Sequence, residues 1–169
     1  MRKGETEAYL DFAAVRAAPL YRSACLLASG DTHLAEDLVQ ETLGRMFVVW
    51  GRMAKVGNPA AYAQTVLVRA FLTHQRRRSS KERPSAVLPD SAARGGDDAT
   101  LRVTLLDALG RLAPKDRAVL VLRYWEDRSI EETAAALHST PGAIRTRTVR
   151  ALARLRADLG GSLAELIAR

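Results

Sequence analysis

Apolar residues recur at intervals of three to five positions along most of this chain, and that spacing places them on one face of an α-helix. Between residues 34 and 50 they occupy six such positions: Leu34, Leu38, Leu43, Met46, Phe47 and Trp50. Segments 8–27, 59–78, 101–112 and 114–125 are also predicted to be helical, with Pro19 kinking or breaking the first of them near Ala18. The alternation that marks a half-buried β-strand is absent from the second half of the chain, and the pattern predicts an all-α protein.

Residues 79–99 interrupt the helical pattern. This segment contains prolines and glycines and almost no periodic apolar residues, which is typical of a linker. The flanking segments, 1–78 and 100–169, are each long enough for a small helical bundle, and 47% hydrophobic residues suffice to bury their cores. We therefore expect two small helical domains joined by a flexible linker.

Capping residues in the second domain define two short helices with a tight turn between them. Ser129 and Glu132 have the spacing of a capping box, in which each side chain bonds the backbone N–H of the other residue. Thr140 is a favourable N-cap, and Pro141 is a favourable first residue for the next helix. A small residue, Ala134, falls where the axes of two such helices cross, so the sequence predicts a helix-turn-helix motif.

The chain carries a formal charge of +7 and has a pI near 10.2, which favours a polyanionic partner, either nucleic acid or an anionic membrane surface. Residues 1–78 hold eleven basic and seven acidic residues, and residues 100–169 hold twelve and eight, so each domain is basic. The second helix of the motif, 141–157, contains five arginines and no acid. Arginine can bond guanine edges or phosphates, and Thr and Val can contact a thymine methyl, so this helix is predicted to contact DNA. The alternative for such a helix on its own is a solvated basic surface over a core.

Several classes of protein and site are excluded. A single cysteine, Cys25, and three widely spaced histidines cannot form an internal disulfide or a structural zinc site. No apolar run approaches the ~18–20 residues of a transmembrane helix, and acids follow the first cations where a secretory signal needs an apolar run, so we expect a cytoplasmic protein. No catalytic motif, phosphate-binding glycine loop or metal-ligand spacing is found, and we expect neither a cofactor nor a metal. Four aromatic residues are expected to be packing residues: Trp50, Tyr62, Tyr124 and Trp125.

Two motifs, in this order, resemble the extracytoplasmic-function (ECF) sigma factors of the bacterial sigma-70 family. The segment GDTHLAEDLVQETLGRMFVVWGRM at 30–53 is similar to their conserved region 2, and LGRLAPKDRAVLVLRYWEDRSIEETAAALHSTPGAIRTRTVRALARLR at 109–156 is similar to their region 4. The likeness spans roughly residues 8–158 and is strongest for the SigE-like subgroup common in actinobacteria. It implies a subunit that binds core RNA polymerase and directs promoter-specific transcription initiation, without catalysis of its own.

The resemblance also implies a role for each part of the chain. Region 2 (1–78) would bind the clamp helices of the polymerase β′ subunit through an exposed face formed by Asp37, Gln40 and Glu41. It would capture the melted −10 element through seven residues: Lys55, Asn58, Arg69, Thr73, Arg76, Arg77 and Arg78. Region 4 (100–169) would lie on the β flap and contact the −35 duplex through six residues: Arg145, Thr146, Arg147, Val149, Arg150 and Arg154. Among these, Arg147 and Arg154 are expected to contact phosphates.

The sequence departs from the family pattern at some of these positions. Arg69 and Thr73 stand where many members have Asn and Asp, so the −10 preference does not transfer. His138 replaces a turn glycine, which requires a left-handed backbone or an altered turn. An anti-sigma protein is a further candidate partner. Two other interpretations stay open at this point: a stand-alone helix-turn-helix regulator with a dimerising N-terminal domain, and an adaptor that binds RNA or an anionic surface.

Overall fold

A computed structural model of the chain describes residues 1–53, 55, 57–80 and 96–160. Within these residues it contains seven α-helices and one π-helical turn: α1 (Lys3–Leu27), α2 (Thr32–Met53), α3 (Pro59–Ser80), α4 (Gly96–Arg111), α5 (Pro114–Leu120), the π-helical turn (Val121–Trp125), α6 (Ile130–Ala136) and α7 (Pro141–Leu159). The described residues form no β-strand, and the predicted all-α fold is confirmed. The chain divides into two compact units, Met1–Arg77 and Arg78–Arg169. In the described part of the chain, none of the helices combines the length and the hydropathy that a bilayer crossing requires.

Helices occupy both ends of the segment predicted as a linker, 79–99. Helix α3 continues through Ser80, and α4 begins at Gly96. Extending an existing helix adds one hydrogen bond for each residue that is fixed, so these turns form without an apolar face of their own. Residues 81–95, the middle of the predicted linker, lie outside the described residues.

In the first unit, α1 and α2 pack along each other. The Tyr9 hydroxyl donates a hydrogen bond to the Leu43 carbonyl across the pair, at 2.7 Å. The Tyr9 ring makes edge-to-face contacts with Phe47 and Trp50, with centroids 5.1 and 5.7 Å apart. Helix α3 contributes Phe71, which is fully buried. The aromatic contacts of Tyr9 therefore hold α1 against the C-terminal part of α2.

Pro19 lies inside α1 and does not end it. The sequence predicts a kink or break near Ala18; α1 is one helix from Lys3 to Leu27, so no break occurs there, and the kink stays a prediction. Proline removes one backbone hydrogen bond from a helix interior. Leu20, Ala24 and Leu27, just after it, are buried, and the packing of this face outweighs the loss of that bond.

In the second unit, the core is built around α5 and the π-helical turn that continues it. Leu122 is fully buried there. The buried guanidinium of Arg117 donates to the carbonyls of Gly110 and Leu112, each at 3.2 Å, and so closes the corner between α4 and α5. Burial lowers the pKa of Arg117 to about 10, which leaves the side chain protonated at neutral pH.

The π-helical turn changes which aromatic side chains reach the core. Tyr124 and Trp125 are 59% and 53% exposed, so the expectation that they are packing residues is wrong. A π-helical turn contains more residues than an α-helical turn, and it therefore shifts the side chains that follow relative to the apolar face of α5. Trp50, in α2, is 5% exposed and is a core residue as expected, while Tyr62 is half-buried.

The predicted helix-turn-helix motif is formed by α6, the turn and α7. The capping box is confirmed: the Ser129 N–H donates to the Glu132 carboxylate at 2.8 Å, and the Glu132 N–H donates to the Ser129 hydroxyl at 3.0 Å. The first of these bonds lowers the pKa of the Glu132 carboxyl below its ordinary value. Ala134 is buried, and His138 adopts the left-handed backbone with a φ of 51°. The turn therefore keeps the geometry that a glycine would give it.

Candidate nucleic-acid interface

Helix α7 is held by its cap and by one buried face. The Thr140 hydroxyl accepts a hydrogen bond from the Ala143 N–H at 3.2 Å, and Pro141 occupies the first position, as the sequence predicts. Ile144 and Ala151, seven residues apart, are each 1% exposed and anchor the inner face of the helix. The opposite face of α7 is therefore presented to solvent in a fixed orientation.

Exposed arginines and one exposed valine lie on that outer face. Five of the six residues expected at the −35 element are exposed: Arg145, Thr146, Val149, Arg150 and Arg154. Val149 is 68% exposed, so its methyl groups are open to solvent on this face. The Thr146 hydroxyl donates to the Gly142 carbonyl at 3.1 Å, so its one donor hydrogen is used within the helix. The outer face of α7 can thus offer guanidinium donors and methyl groups to a base edge or a phosphate.

Arg147 is half-buried, whereas the other five residues expected at the −35 element are exposed. Its guanidinium Nη1 donates to Asp116 Oδ1 of α5 at 2.8 Å, and the two side chains are 29% and 19% exposed. Arg145 lies 3.9 Å from Glu131 of α6, with both side chains at least 60% exposed, and such a pair contributes little. The structure therefore separates Arg147, which has a close and partly buried partner, from the solvated arginines of α7.

Helix α2 presents a polar face with two acids. Asp37, Gln40 and Glu41 are all exposed at helical spacing, while Leu38 between them is buried. The Glu41 carboxylate accepts from Arg45 Nη2 at 2.6 Å, one turn further along. We call Asp37, Gln40 and Glu41 the acidic face of α2. In a chain of net charge +7, this face is suited to a basic protein surface rather than to DNA.

Five of the seven residues expected at the −10 element lie at the two ends of α3. Lys55 and Asn58 precede the helix, and Arg76, Arg77 and Arg78 are exposed near its last turns. A separation of eighteen residues between Asn58 and Arg76 corresponds to about 27 Å along a helix, so the two groups form no single cluster. Arg69 and Thr73, between them, are half-buried.

Two of these −10 candidates have local structural partners. Asn58 Oδ1 accepts from the Ala61 N–H at 3.2 Å and so caps the start of α3. Arg76 Nη2 donates to Thr73 Oγ1 at 3.2 Å. Sequence reasoning missed the cap, although Asn before Pro59 at a helix start is a recognisable signal for it.

Sequence reasoning also missed Asp116. This residue lies 31 positions before Arg147, and no local spacing connects the two.

Side chains in the described ranges form no group of three or more His, Cys, Asp or Glu that could hold a metal ion.

Comparisons with known proteins agree with both units. The sequence profile described as "Sigma-70 region 2" matches residues 14–81, and the one described as "Sigma-70, region 4" matches residues 102–155. The chain is 39% identical over 163 residues to the RNA polymerase sigma-E factor of Streptomyces avermitilis, covering 94% of this chain and 89% of that protein. It is also 39% identical over 160 residues to the sigma-E factor of Streptomyces coelicolor, covering 92% and 88%.

A solved structure shares the fold. It is the sigma factor RpoE of Bartonella quintana, in complex with the anti-sigma factor NepR. The TM-score is 0.72 at 24% identity, with 90% of this chain and 97% of that chain covered. At this identity the likeness shows the fold alone.

Proposed function

The chain belongs to the ECF group of sigma-70 family RNA polymerase sigma factors, and on that premise we propose how its two units divide the work of promoter recognition. A sigma factor binds core RNA polymerase and directs transcription initiation at specific promoters. We assign residues 1–78 to region 2, residues 79–99 to the linker and residues 100–169 to region 4. Region 2 engages the polymerase and the −10 element, and region 4 engages the −35 element.

Region 4 contacts the −35 duplex with the outer face of α7. The observation that carries this proposal is a capped helix, anchored by Ile144 and Ala151, whose solvent face has arginines and no acid from residue 141 to 157. A helix of this kind fits the major groove of B-DNA, which is about 12 Å wide. Arg145, Thr146, Val149 and Arg150 contact base edges, and Arg154 contacts a phosphate.

Region 2 binds the β′ clamp helices of core polymerase through the acidic face of α2. Asp37, Gln40 and Glu41 are exposed while Leu38 is buried, so a partner can contact these three side chains without disturbing the core. Acids on an otherwise basic domain favour a basic protein surface and disfavour DNA at that position. This charge arrangement supports an orientation in which α2 faces the polymerase.

Region 2 captures the melted −10 element along α3. Arg76, Arg77 and Arg78 form a cationic end that attracts the phosphates of a single strand. Lys55 and Asn58 contact the strand at the opposite end of the helix, and Arg69 and Thr73 lie on the path between them. The separation of the two ends favours a strand laid along α3 over a strand held at one point.

Catalysis belongs to the polymerase, and we infer that this chain has no enzymatic activity, no cofactor and a cytoplasmic location, where core polymerase works. An anti-sigma protein is a further candidate partner, as NepR is for the RpoE of Bartonella quintana. The stand-alone regulator has less support, because both sigma-70 profiles match and they do so in the family's order.

Footprinting tests the proposed division. The holoenzyme made from this chain and core polymerase is expected to protect a −35 region and, after strand opening, to leave the −10 region reactive to permanganate. Replacing Arg145 and Arg150 with alanine should remove the −35 protection and leave core binding unchanged. A variant that loses both equally would contradict the assignment of α7 to the −35 element.

A further inference from the structure

The ion pair between Arg147 and Asp116 joins two helices of the second unit. It connects α7 to α5 over 2.8 Å, with side-chain exposures of 29% and 19%. Asp116 precedes Arg117, whose buried guanidinium closes the corner between α4 and α5. The carboxylate is therefore mounted on a fixed part of the unit, and the guanidinium is mounted on the helix proposed to enter the groove.

This setting argues against Arg147 as a phosphate contact. A carboxylate at 2.8 Å cancels most of the attraction between a guanidinium and a phosphate. Moving Arg147 to DNA would also leave Asp116 partly buried without its counter-charge, which is costly. Arg150 and Arg154 are exposed, and neither forms an ion pair within the described part of the chain. These two arginines can contact phosphates and bases without breaking an ion pair.

The position of Arg147 along α7 gives the pair a geometric role. Ile144 and Ala151 anchor the inner face of the helix, and Arg147 lies between them in sequence. Successive residues of a helix are about 100° apart, so a side-chain tether from this position limits the rotation of α7 about its axis. Bidentate contacts to bases tolerate errors of only about 10–20°. A tether of this kind therefore affects how accurately Arg145 and Arg150 are oriented toward the bases.

We propose that Asp116 and Arg147 form a positioning pair, which sets the orientation of α7 for −35 recognition and does not itself contact DNA. The inference rests on the proposed function of α7. For removal of the Asp116 charge, the positioning role and a phosphate-contact role of Arg147 predict opposite changes in DNA affinity. If Arg147 bound phosphate and Asp116 competed for it, removal of the Asp116 charge would strengthen DNA binding. If the pair positions α7, the same change weakens binding although the domain becomes more positive.

The test uses the full chain in holoenzyme and a promoter fragment that the wild-type holoenzyme selects from genomic DNA, beside the same fragment with a scrambled −35 element. Asp116→Asn and Arg147→Gln should each weaken binding to the selected fragment about tenfold and leave binding to the scrambled fragment unchanged. The double exchange of Asp116→Arg with Arg147→Asp should restore binding to within about threefold. Asp116→Glu keeps the charge and should also stay within about threefold of wild type, which keeps the proposal testable if Asp116→Asn does not fold.

The salt dependence of DNA binding separates the positioning role of Arg147 from a phosphate contact. Arg154→Gln, the matched control on the same helix, should reduce the slope of log affinity against log salt by about 1, and Arg147→Gln should leave it unchanged. Tighter binding by Asp116→Asn, a slope reduced by Arg147→Gln, or an exchanged pair as weak as the single variants would overturn the proposal. If the wild-type holoenzyme selects no promoter, the proposed function and this inference fall together; if it does and Asp116→Asn binds more tightly, only this inference falls.

Discussion

The two units are both basic, yet they present their candidate residues in different ways. In the second unit the proposed DNA contacts lie on the outer face of one helix, α7, whose cap and inner face are fixed by named contacts. In the first unit the candidates occupy the acidic face of α2 and the two ends of α3. Duplex DNA has a regular groove that a single rigid helix can follow, whereas a single strand and a protein surface need contacts spread over several elements. On the proposed assignments, the distribution of the site residues follows the geometry of each partner.

The largest expected effect is the loss of polymerase binding when the acidic face of α2 is removed. Replacing Asp37, Gln40 and Glu41 together with alanine should weaken association with core polymerase by about 30-fold or more, because such faces concentrate binding energy in few residues. Fluorescence anisotropy of the labelled chain against core polymerase measures it. The matched control replaces Glu7 and Asp11, two exposed acids of α1, and should change the affinity by no more than about twofold. Equal losses in both variants would mean that only the net charge matters, and the contrast between a polymerase face and a DNA face would be lost.

A smaller effect is expected at the centre of the outer face of α7. Arg150→Ala should cost about 1–3 kcal/mol on the selected −35 element and relax the preference at one base pair, because it removes a base contact. Arg156→Ala, the same charge change near the end of the same helix, should cost about 0.5 kcal/mol or less. Competition binding of holoenzyme to single-base variants of the promoter separates the two. An Arg150→Ala loss that is the same for every sequence would reassign the residue to a phosphate.

Asn58, in the first unit, caps α3 and is also a −10 candidate, so its two roles can be separated by mutation. Asn58→Ala should lower the free energy of unfolding by about 1 kcal/mol through loss of the cap. Asn58→Asp keeps a capping oxygen and should retain stability, while its charge repels a nearby DNA strand. Thermal denaturation together with permanganate reactivity at the −10 element tests both. Normal strand opening by a stable Asn58→Asp variant would restrict Asn58 to its structural role.

The smallest effect concerns the capping box of α6. The hydrogen bond from the Ser129 N–H lowers the pKa of Glu132 below its ordinary value of 4.5, so the charged form stabilises the fold above that pH and the benefit is lost as the pH falls through the lowered pKa. The thermal midpoint of wild type should therefore exceed that of Glu132→Gln at neutral pH, and the two should converge in acid. Ser129→Ala removes the reciprocal bond, and its deficit should persist at low pH. A difference in thermal midpoint between wild type and Glu132→Gln that stays constant with pH would show that the cap does not depend on the charge of Glu132.

Features set by local spacing could be predicted from the sequence. The capping box and the Thr140 cap were predictable because each depends on residues within a few positions of one another. For His138 the sequence left a left-handed backbone and an altered turn both open, and the structure has the left-handed one. The exposed face of α2 followed from its helical period in the same way.

Features that depend on distant residues or on an irregular backbone could not be predicted. The partner of Arg147 lies 31 positions away on another helix, so its spacing gives no signal. Tyr124 and Trp125 point to solvent because the π-helical turn breaks the period from which their burial was expected. Pro19 stayed inside α1 because the packing of the unit overrides a local preference.

Reconstitution tests directly whether the two units act together as the promoter-recognition subunit of one holoenzyme. The purified chain is mixed with bacterial core RNA polymerase, separated by size exclusion, and used to transcribe fragmented genomic DNA from the source bacterium at a stated salt concentration. A sigma factor should co-elute stably with the polymerase and give new, polymerase-dependent transcripts whose promoters share a −35 and a −10 element at fixed spacing. A chain that fails to co-elute and binds a symmetric DNA site by itself would contradict the proposed role.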